Sequence, residues 1–148
     1  MKEKFYLEEI AFKSRAKLIG ESISINGFSI DTRSLVAGNL YIALKGKNFD
    51  GHNFLEEARS KGAAALVVDK FVEIDLPLLV VEDTNNFLKS LAISNRNNFH
   101  GTVIGITGSN GKSSTKEILA SLLSTKKSCH QTLGNKNNQI GMPLSMSN

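Results

Sequence analysis

Residues 103–115 read Val-Ile-Gly-Ile-Thr-Gly-Ser-Asn-Gly-Lys-Ser-Ser-Thr. The β-branched run Val103–Thr107 predicts a buried strand. After the loop, the segment Lys116–Ser124 carries its apolar residues at helical spacing, at Ile118, Leu119, Leu122 and Leu123. The glycine-rich loop therefore lies between a strand and a helix, where backbone N–H groups and the helix N-terminus favour phosphate oxygens. The stretch predicts an α/β fold that grips a nucleoside triphosphate.

The residue types in this loop are suited to binding phosphate groups. Gly108 and Gly111 permit positive φ angles and a close approach of backbone to an anion. Lys112 would reach the β- and γ-phosphates, and the Ser113 hydroxyl would hold Mg²⁺. We take Lys112 and Ser113 as the catalytic candidates, Ser113 also as the metal ligand, and as the whole nucleotide-binding set Gly108, Ser109, Asn110, Gly111, Lys112, Ser113 and Ser114.

The loop departs from the general phosphate-loop spacing, because Ile106 stands where that rule has its first glycine, six residues before Lys112. An alternative interpretation is that the glycines merely end a strand. Lys112 and Ser113 would then be exposed residues of the first helical turn. The strand–loop–helix context favours the phosphate grip.

Three blocks in one order resemble the Mur ligases, the ATP-dependent amide-forming enzymes of peptidoglycan precursor synthesis. The loop at 107–113, preceded by Ile-Gly-Ile, resembles their ATP loop, which folylpolyglutamate synthases share. Residues 132–144, Thr-Leu-Gly-Asn-Lys-Asn-Asn-Gln-Ile-Gly-Met-Pro-Leu, are similar to a segment of those members that add D-alanyl-D-alanine. The member that adds the third peptide residue lacks this run. Residues 31–54, from Asp-Thr-Arg-Ser to Asp-Gly-His-Asn-Phe, resemble the module that holds the UDP end of the substrate.

The resemblance implies a reaction and its ligands. ATP would phosphorylate the terminal carboxylate of UDP-N-acetylmuramoyl-tripeptide, and the amine of D-alanyl-D-alanine would attack the acyl phosphate. ATP and Mg²⁺ are the implied cofactors, and the two small molecules are the implied substrates. The resemblance also places the 134–141 loop near the ATP phosphates, with Asn135 and Asn138 as contacts. A run of asparagines in a turn is the alternative interpretation of that loop.

The first block supplies the candidate substrate-binding residues. The resemblance assigns this role to Asp31, Thr32 and Arg33 and to the later loop residues Lys45, Gly46, Asp50, Gly51 and His52. A guanidinium can clasp a phosphate bidentately, and short polar side chains can bond a uracil edge. Alternatively, Asp31 is a turn cap, Arg33 belongs to a surface ion pair, and 45–52 is an ordinary turn.

The fold class we predict is α/β, with a mixed α/β substrate-binding domain at 1–98 and the beginning of an ATP-binding α/β domain at 99–148. Amphipathic patterning predicts a helix over Tyr6–Leu18 that ends at Gly20. Asn26-Gly27 between alternating apolar residues predicts a hairpin over Ile23–Ile30 that pairs Ile25 with Phe28. The further predictions are strands at Leu40–Leu44, Ala64–Val68, Leu78–Val81 and Ser128–Thr132 and helices at Phe54–Lys61, capped by Gly62, and Asn85–Asn97.

Composition fits a globular protein with anionic small ligands. The chain carries 18 Lys and Arg against 14 Asp and Glu, a net charge of +4. These basic residues are dispersed and are not interleaved with aromatic ones, so we expect no nucleic acid partner. Apolar runs have strand length and the N-terminus carries acidic residues, so we expect no membrane insertion and no signal peptide. The single cysteine, Cys129, fits the cytoplasm and a structural role, and we expect a monomer.

At 148 residues the chain is shorter than the enzymes that it resembles, which have three domains. We therefore expect a fragment of a longer enzyme whose second half either packs poorly alone or leans on the first half, and we expect no ligase activity from this chain by itself. Three alternatives remain open. They are a non-catalytic module that binds a uridine nucleotide, the related ligase that adds the third peptide residue, and a small phosphate-loop kinase.

Overall fold

The computed structural model describes residues 5–132. Within these residues the chain forms seven strands, which are β1 (Phe5–Tyr6), β2 (Lys17–Ile19), β3 (Ser24–Ile25), β4 (Phe28–Ser29), β5 (Leu40–Ile42), β6 (Ala65–Val68) and β7 (Leu78–Val80). The α-helices are α1 (Leu7–Ser14), α2 (Leu55–Ser60), α3 (Thr84–Asn98) and α4 (Lys112–Ser124), and a 3-10 helix covers Gly51–Phe54. None of the helices in this part of the chain is long and apolar enough to cross a bilayer.

The central sheet has five strands in the order β2-β7-β6-β5-β4. The four strands from β7 to β4 run parallel, and β2 pairs antiparallel with β7 at one edge. A separate two-stranded sheet pairs β1 with β3. Parallel strands need crossover connections, and α2 lies in the one between β5 and β6, whereas α3 follows the last strand, β7. The architecture confirms the predicted mixed α/β class.

Both faces of the sheet are covered, as a mostly parallel sheet requires. Because side chains alternate along a strand, Leu40 and Ile42 point to one face of β5 and Tyr41 to the other. The first face packs against α1 and α3 through Leu7, Ile10, Phe87, Leu88 and Leu91. The second packs against α2 through Leu55 and Ala58. The result is three layers, with the sheet in the middle.

The strongest sequence patterns predicted their elements correctly. The strand predicted at Leu40–Leu44 is β5, and those at Ala64–Val68 and Leu78–Val81 are β6 and β7, each within two residues at its ends. The predicted helix Asn85–Asn97 is α3, which begins one residue earlier because the Asp83 carboxylate accepts a hydrogen bond from the Asn86 N–H. The helix predicted at Phe54–Lys61 corresponds to α2, and Gly62 follows it with φ +85°.

The prediction of one helix over Tyr6–Leu18 was wrong in its second half. Helix α1 ends at Ser14, and Arg15 takes the left-handed conformation with φ 57°. The next residues form β2, in which Leu18 pairs with Leu79 of β7. Leu18 fits both a helical and an extended pattern, and sheet pairing decides between them.

The predicted hairpin at Ile23–Ile30 was also wrong. Ile25 pairs with Phe5 in the small sheet, whereas Phe28 pairs with Leu40 in the large one. The backbone of Asn26-Gly27 does not close a turn of its own, because the Asn26 N–H bonds the Gly38 oxygen and the Leu40 N–H bonds the Gly27 oxygen, each at 2.9 Å. Burial of Ile25 and Phe28 in one core cluster outweighs the local turn preference.

The second half of the described chain contains α4 but neither strand predicted there. Residues 103–107 and 128–132 are not strands, and no strand within residues 5–132 pairs with them. Val103 and Ile104 are exposed, and α4 buries no residue among those described. An apolar run becomes a strand only beside a partner strand, so the pattern alone was insufficient here. None of residues 99–132 is buried, and the packing of the half as a whole stays a prediction.

Candidate functional site

The carboxyl ends of β4, β5, β6 and β7 meet at one edge of the sheet, because these strands are parallel. We call this the carboxyl edge. The segments that follow the strands there are 30–34, 43–54, 69–71 and 81–85. In open α/β sheets ligands bind at this kind of edge. Both predicted substrate-binding segments, 31–33 and 45–52, lie on it.

Asp31 and Arg33 form an ion pair directly after β4. The Asp31 carboxylate accepts hydrogen bonds from the Arg33 backbone N–H at 2.9 Å and from its Nη2 at 2.6 Å. Arg33 Nε also donates to both carboxylate oxygens, at 3.0 and 3.1 Å. These bonds to Arg33 lower the pKa of Asp31, and they raise that of Arg33. Asp31 thus engages the Nε and Nη2 atoms of the guanidinium. A phosphate would have to bind the N–H groups that point away from Asp31.

Thr32 differs from its two neighbours because it is buried. Its carbonyl oxygen accepts a 3.1 Å hydrogen bond from Lys61 Nζ, and Lys61 also donates to Glu57 at 2.7 Å. The bonds to Lys61 and to the Thr32 side chain lower the pKa of Glu57. Thr32 therefore ties the segment after β4 to α2 and serves as a support, while Arg33 is the residue that faces solvent.

The loop after β5 is closed at its base. Lys45 and Asp50 form an antiparallel bridge, and the Gly46 N–H donates to the Phe49 oxygen at 2.7 Å. Gly51 packs so closely on the preceding backbone that an added Cβ would stand 2.8 Å from the Leu44 nitrogen and 2.9 Å from its oxygen. The predicted residues Lys45, Gly46, Asp50 and Gly51 are thus brought together in one loop.

The His52 ring is held between two aspartates. Its Nδ1 lies 2.7 Å from Asp50 Oδ1, and its Nε2 accepts a 3.2 Å bond from the Asp69 N–H. The same Nε2 also lies 3.2 Å from Asp69 Oδ1, so each ring nitrogen has a carboxylate oxygen beside it. Bonds from His52, the backbone one foremost, lower the pKa of Asp50. Only 9% of the His52 side chain is exposed, so the histidine fastens its loop to the end of β6.

Tyr41 connects the two predicted segments. It lies on β5 with 1% of its surface exposed, and its hydroxyl donates a 3.2 Å hydrogen bond to the Gly51 oxygen. Burial first, and then the charges of Asp31, Glu57 and Asp50, raise the pKa of Tyr41 to about 12. Carboxylates of both the 31–33 and the 45–52 segments therefore contribute to the raised pKa of this one phenol.

The start of α3 completes the carboxyl edge, and sequence reasoning did not select it. The buried Thr84 hydroxyl donates to the Ala43 oxygen at 2.8 Å, and Asn85 Nδ2 donates to the Lys45 oxygen at 2.9 Å. Tyr41, Lys61 and Asp69 were missed as well. The sequence did contain an indication that the start of α3 belongs to the site. The polar residues Asp83-Thr84-Asn85 lie where the predicted strand ends and the predicted helix begins.

The predicted nucleotide loop lies at the start of α4. Gly111 is the N-terminal cap of this helix and has φ +75°, and Gly108 has φ +151°. Lys112 Nζ donates to the Gly108 oxygen across the loop. The first N–H groups of a helix have no partners inside it, so those of the initial turn are suited to phosphate oxygens. An added Cβ at Gly111 would meet nothing within 4 Å, so its positive φ is the property that calls for glycine.

The metal prediction is supported only by the type of donor at Ser113. The residues from 5 to 132 contain no cluster of three His, Cys, Asp or Glu side chains that could hold a metal ion. A Mg²⁺ ion that keeps several waters and binds phosphate oxygens needs few protein ligands, and a hydroxyl at Ser113 fits that chemistry. Asn135 and Asn138 lie outside the described residues.

Comparison with known proteins gives consistent matches. Residues 24–123 match the Mur ligase family, catalytic domain, and residues 106–148 match the Mur ligase middle domain. The chain is 42% identical over 130 residues to the UDP-N-acetylmuramoyl-tripeptide--D-alanyl-D-alanine ligase of Escherichia coli. That alignment covers 88% of this chain and 29% of the relative. The chain thus spans less than a third of that relative's length.

Solved structures agree with the sequence matches. A D-alanyl-D-alanyl ligase from Acinetobacter baumannii superposes with a TM-score of 0.85 at 32% identity, over 97% of this chain and 33% of that one. The MurF ligase from Thermotoga maritima in complex with ADP gives 0.67 at 43% identity, over 82% of this chain and 29% of that one.

Proposed function

Because this chain belongs to the Mur ligase family, we propose that it forms part of a ligase that joins D-alanyl-D-alanine to UDP-N-acetylmuramoyl-tripeptide at the expense of ATP. The observation that carries the proposal is the 42% identity to the Escherichia coli ligase of that name across 88% of this chain. The Thermotoga maritima structure, which is a complex with ADP, supports ATP as the nucleotide.

We propose that the two halves of the chain bind different ligands. Residues 1–98 hold the uridine end of the substrate, and residues 99–148 begin the ATP-binding domain. In the first half Arg33 and the 45–51 loop contact the substrate, while Thr32 and His52 hold those contacts in place. Their position on the carboxyl edge of the sheet supports this assignment.

In the second half, Lys112 and the amides of residues 108–114 bind the ATP phosphates. These donors are prearranged by the helix start, so they can neutralise charge that develops as the γ-phosphoryl group moves to the substrate carboxylate. Ser113 would hold Mg²⁺, which supplies further charge neutralisation when bound. The amine of D-alanyl-D-alanine then attacks the acyl phosphate, the new amide bond forms and inorganic phosphate leaves.

We propose that the protein works in the cytoplasm as a monomer. Cys129 is free and exposed, which accords with a reducing compartment. Sedimentation of the purified chain tests the monomeric state.

Calorimetric titration of the 148-residue chain tests the proposed function. UDP-N-acetylmuramoyl-tripeptide should bind more tightly than UDP-glucose, and Mg-ATP should bind independently. Lys112→Ala should abolish ATP binding and leave the UDP-sugar affinity unchanged, whereas Lys127→Ala, at an exposed position beyond α4, should change neither. Equal affinities for both UDP-sugars in a folded chain would overturn the substrate assignment.

A further inference from the structure

An aromatic pair lies in the loop of the candidate uridine site, and the proposed function does not use it. The Phe49 and Phe54 rings are stacked, with centroids 5.6 Å apart and planes 17° from parallel. Phe54 is half-buried and packs against the core cluster that contains Tyr41 and Leu55. Phe49 lies outside it and is 50% exposed. The core therefore supports Phe54, Phe54 supports Phe49, and part of the Phe49 ring surface remains open to solvent.

The backbone beneath Phe49 is fixed. The Gly46 N–H bonds its carbonyl oxygen at 2.7 Å, and the bridge between Lys45 and Asp50 closes the loop on both sides of it. Asp50 is in turn bonded to His52. A ring on so constrained a loop loses little further freedom when a ligand stacks on it, and such preorganisation favours binding.

The surroundings of the ring suit a nucleoside diphosphate. Lys45 and Lys47 are exposed in the same loop and provide positive charge beside the aromatic surface. A flat base stacks well on an aromatic side chain, and the phosphates that follow its ribose need nearby cations. An aromatic ring flanked by lysines on the carboxyl edge combines both requirements.

We propose that the exposed face of Phe49 stacks on the pyrimidine ring of the UDP-sugar, which makes Phe49 a residue that determines specificity for a nucleoside diphosphate sugar over a plain sugar phosphate. The proposal rests on the proposed function, since it takes the carboxyl edge as the uridine site. Phe54 is the positioning residue that keeps the Phe49 ring in place.

Affinity measurements with three variants of the 148-residue chain test the stacking role. Phe49→Leu keeps an apolar side chain on Phe54 but removes the ring, and it should weaken UDP binding by about 5- to 100-fold. Phe49→Tyr keeps the ring and should retain the affinity of the parent chain. Leu18→Ala on β2, outside the loop, serves as a control for general loss of stability. Circular dichroism of each variant confirms folding.

The contribution of the uracil ring to the binding affinity can be measured by comparing ligands that contain it with ligands that lack it. The parent chain should bind uridine monophosphate more tightly than ribose 5-phosphate, and Phe49→Leu should remove most of that difference. The chain contains no tryptophan, so Phe49→Trp introduces a single fluorescent reporter at the site. Its emission should change with uridine monophosphate and not with ribose 5-phosphate. Phe12→Trp, on the exposed side of α1, should respond to neither.

The outcomes separate the two proposals. If the parent chain binds UDP and Phe49→Leu binds it equally well, the stacking role is wrong and the uridine site stands. If the parent chain binds Mg-ATP but no uridine compound, the assignment of the uridine site fails and the role of Phe49 fails with it.

Discussion

The Tyr41 hydroxyl donates a 3.2 Å hydrogen bond to the carbonyl oxygen of Gly51, which lies ten residues further along the chain. This bond joins β5 to the loop that follows it, which carries the second segment of the candidate site, residues 45–52. The phenol is buried, and its raised pKa of about 12 keeps it protonated, and so able to donate, throughout the neutral range.

Tyr41→Phe should destabilise the protein by about 1–2 kcal/mol, because the buried Gly51 oxygen loses its partner while the ring still packs. Urea unfolding followed by circular dichroism measures the change. Tyr6→Phe is the matched control, since Tyr6 is about half exposed, and it should leave the free energy of unfolding unchanged. Equal effects of the two changes would show that the Gly51 bond contributes nothing.

Arg33→Ala should weaken binding of the UDP-sugar and leave ATP binding intact, because Arg33 lies on the carboxyl edge and its side chain is 86% exposed. Because the Asp31–Arg33 pair is exposed, the urea midpoint should fall only slightly. Calorimetric titration with both ligands measures the affinities. Arg59→Ala is the control, since Arg59 forms a similar exposed pair with Glu56 on α2. Equal losses of the two affinities would mean that the uridine site lies elsewhere.

Acid should destabilise the first half of the chain through Asp31, Asp50 and Glu57. Their pKa values are lowered in the folded state, so their contribution is present above the unfolded values of 3.8 for Asp and 4.5 for Glu and is lost as the pH falls through the folded values. Urea unfolding from about pH 6 to about pH 3 should show this decline. Because each of these side chains is partly exposed, the decline should be modest.

A double-mutant cycle identifies the source of the acid effect. Asp31→Asn should flatten the decline in the parent chain and change little further when Arg33 is already alanine, because Arg33 is the main cause of the lowered Asp31 pKa. Additive effects of the two changes would contradict that cause.

Gly111→Ala should reduce ATP affinity by about tenfold, since an alanine at φ +75° costs about 1–2 kcal/mol and the loop would leave its present conformation. Gly105→Ala is a matched control in the same segment, because an added Cβ there also meets nothing within 4 Å. Titration with Mg-ATP compares the two. Similar affinities would show that the positive φ of Gly111 is not needed for binding.

The sequence predicted the elements in which local pattern and tertiary packing agree. Residues 65–68 and 78–80 are apolar runs with strand partners on both sides, and the prediction of each is confirmed. Asn26-Gly27 has the best local turn signal in the chain, yet Ile25 and Phe28 enter different sheets because burial is worth more than the turn. The run at 103–107 has the pattern of a strand without a partner among residues 5–132.

The candidate site was only partly predictable for a similar reason. Polar residues next to glycines, such as those at 50–52, can be found by inspection. Whether His52 faces a ligand or fastens a loop depends on Asp69, which is 17 residues away in sequence. Tyr41 looks like any aromatic residue of a strand, and its contact with Gly51 exists only in the folded chain. The roles of Asn135 and Asn138 stay predictions.

The loop after β5 has a base held by hydrogen bonds, and the side chains of its tip are exposed. Gly51 admits no side chain, and its neighbours at 44, 45, 50 and 52 are bonded to the sheet, to α3 or to one another. Substitutions at the tip, residues 47–49, leave those bonds in place. Over generations such a loop can change its ligand preference in small steps while the fold beneath it is retained, so the place to look for divergence among related proteins is these three positions.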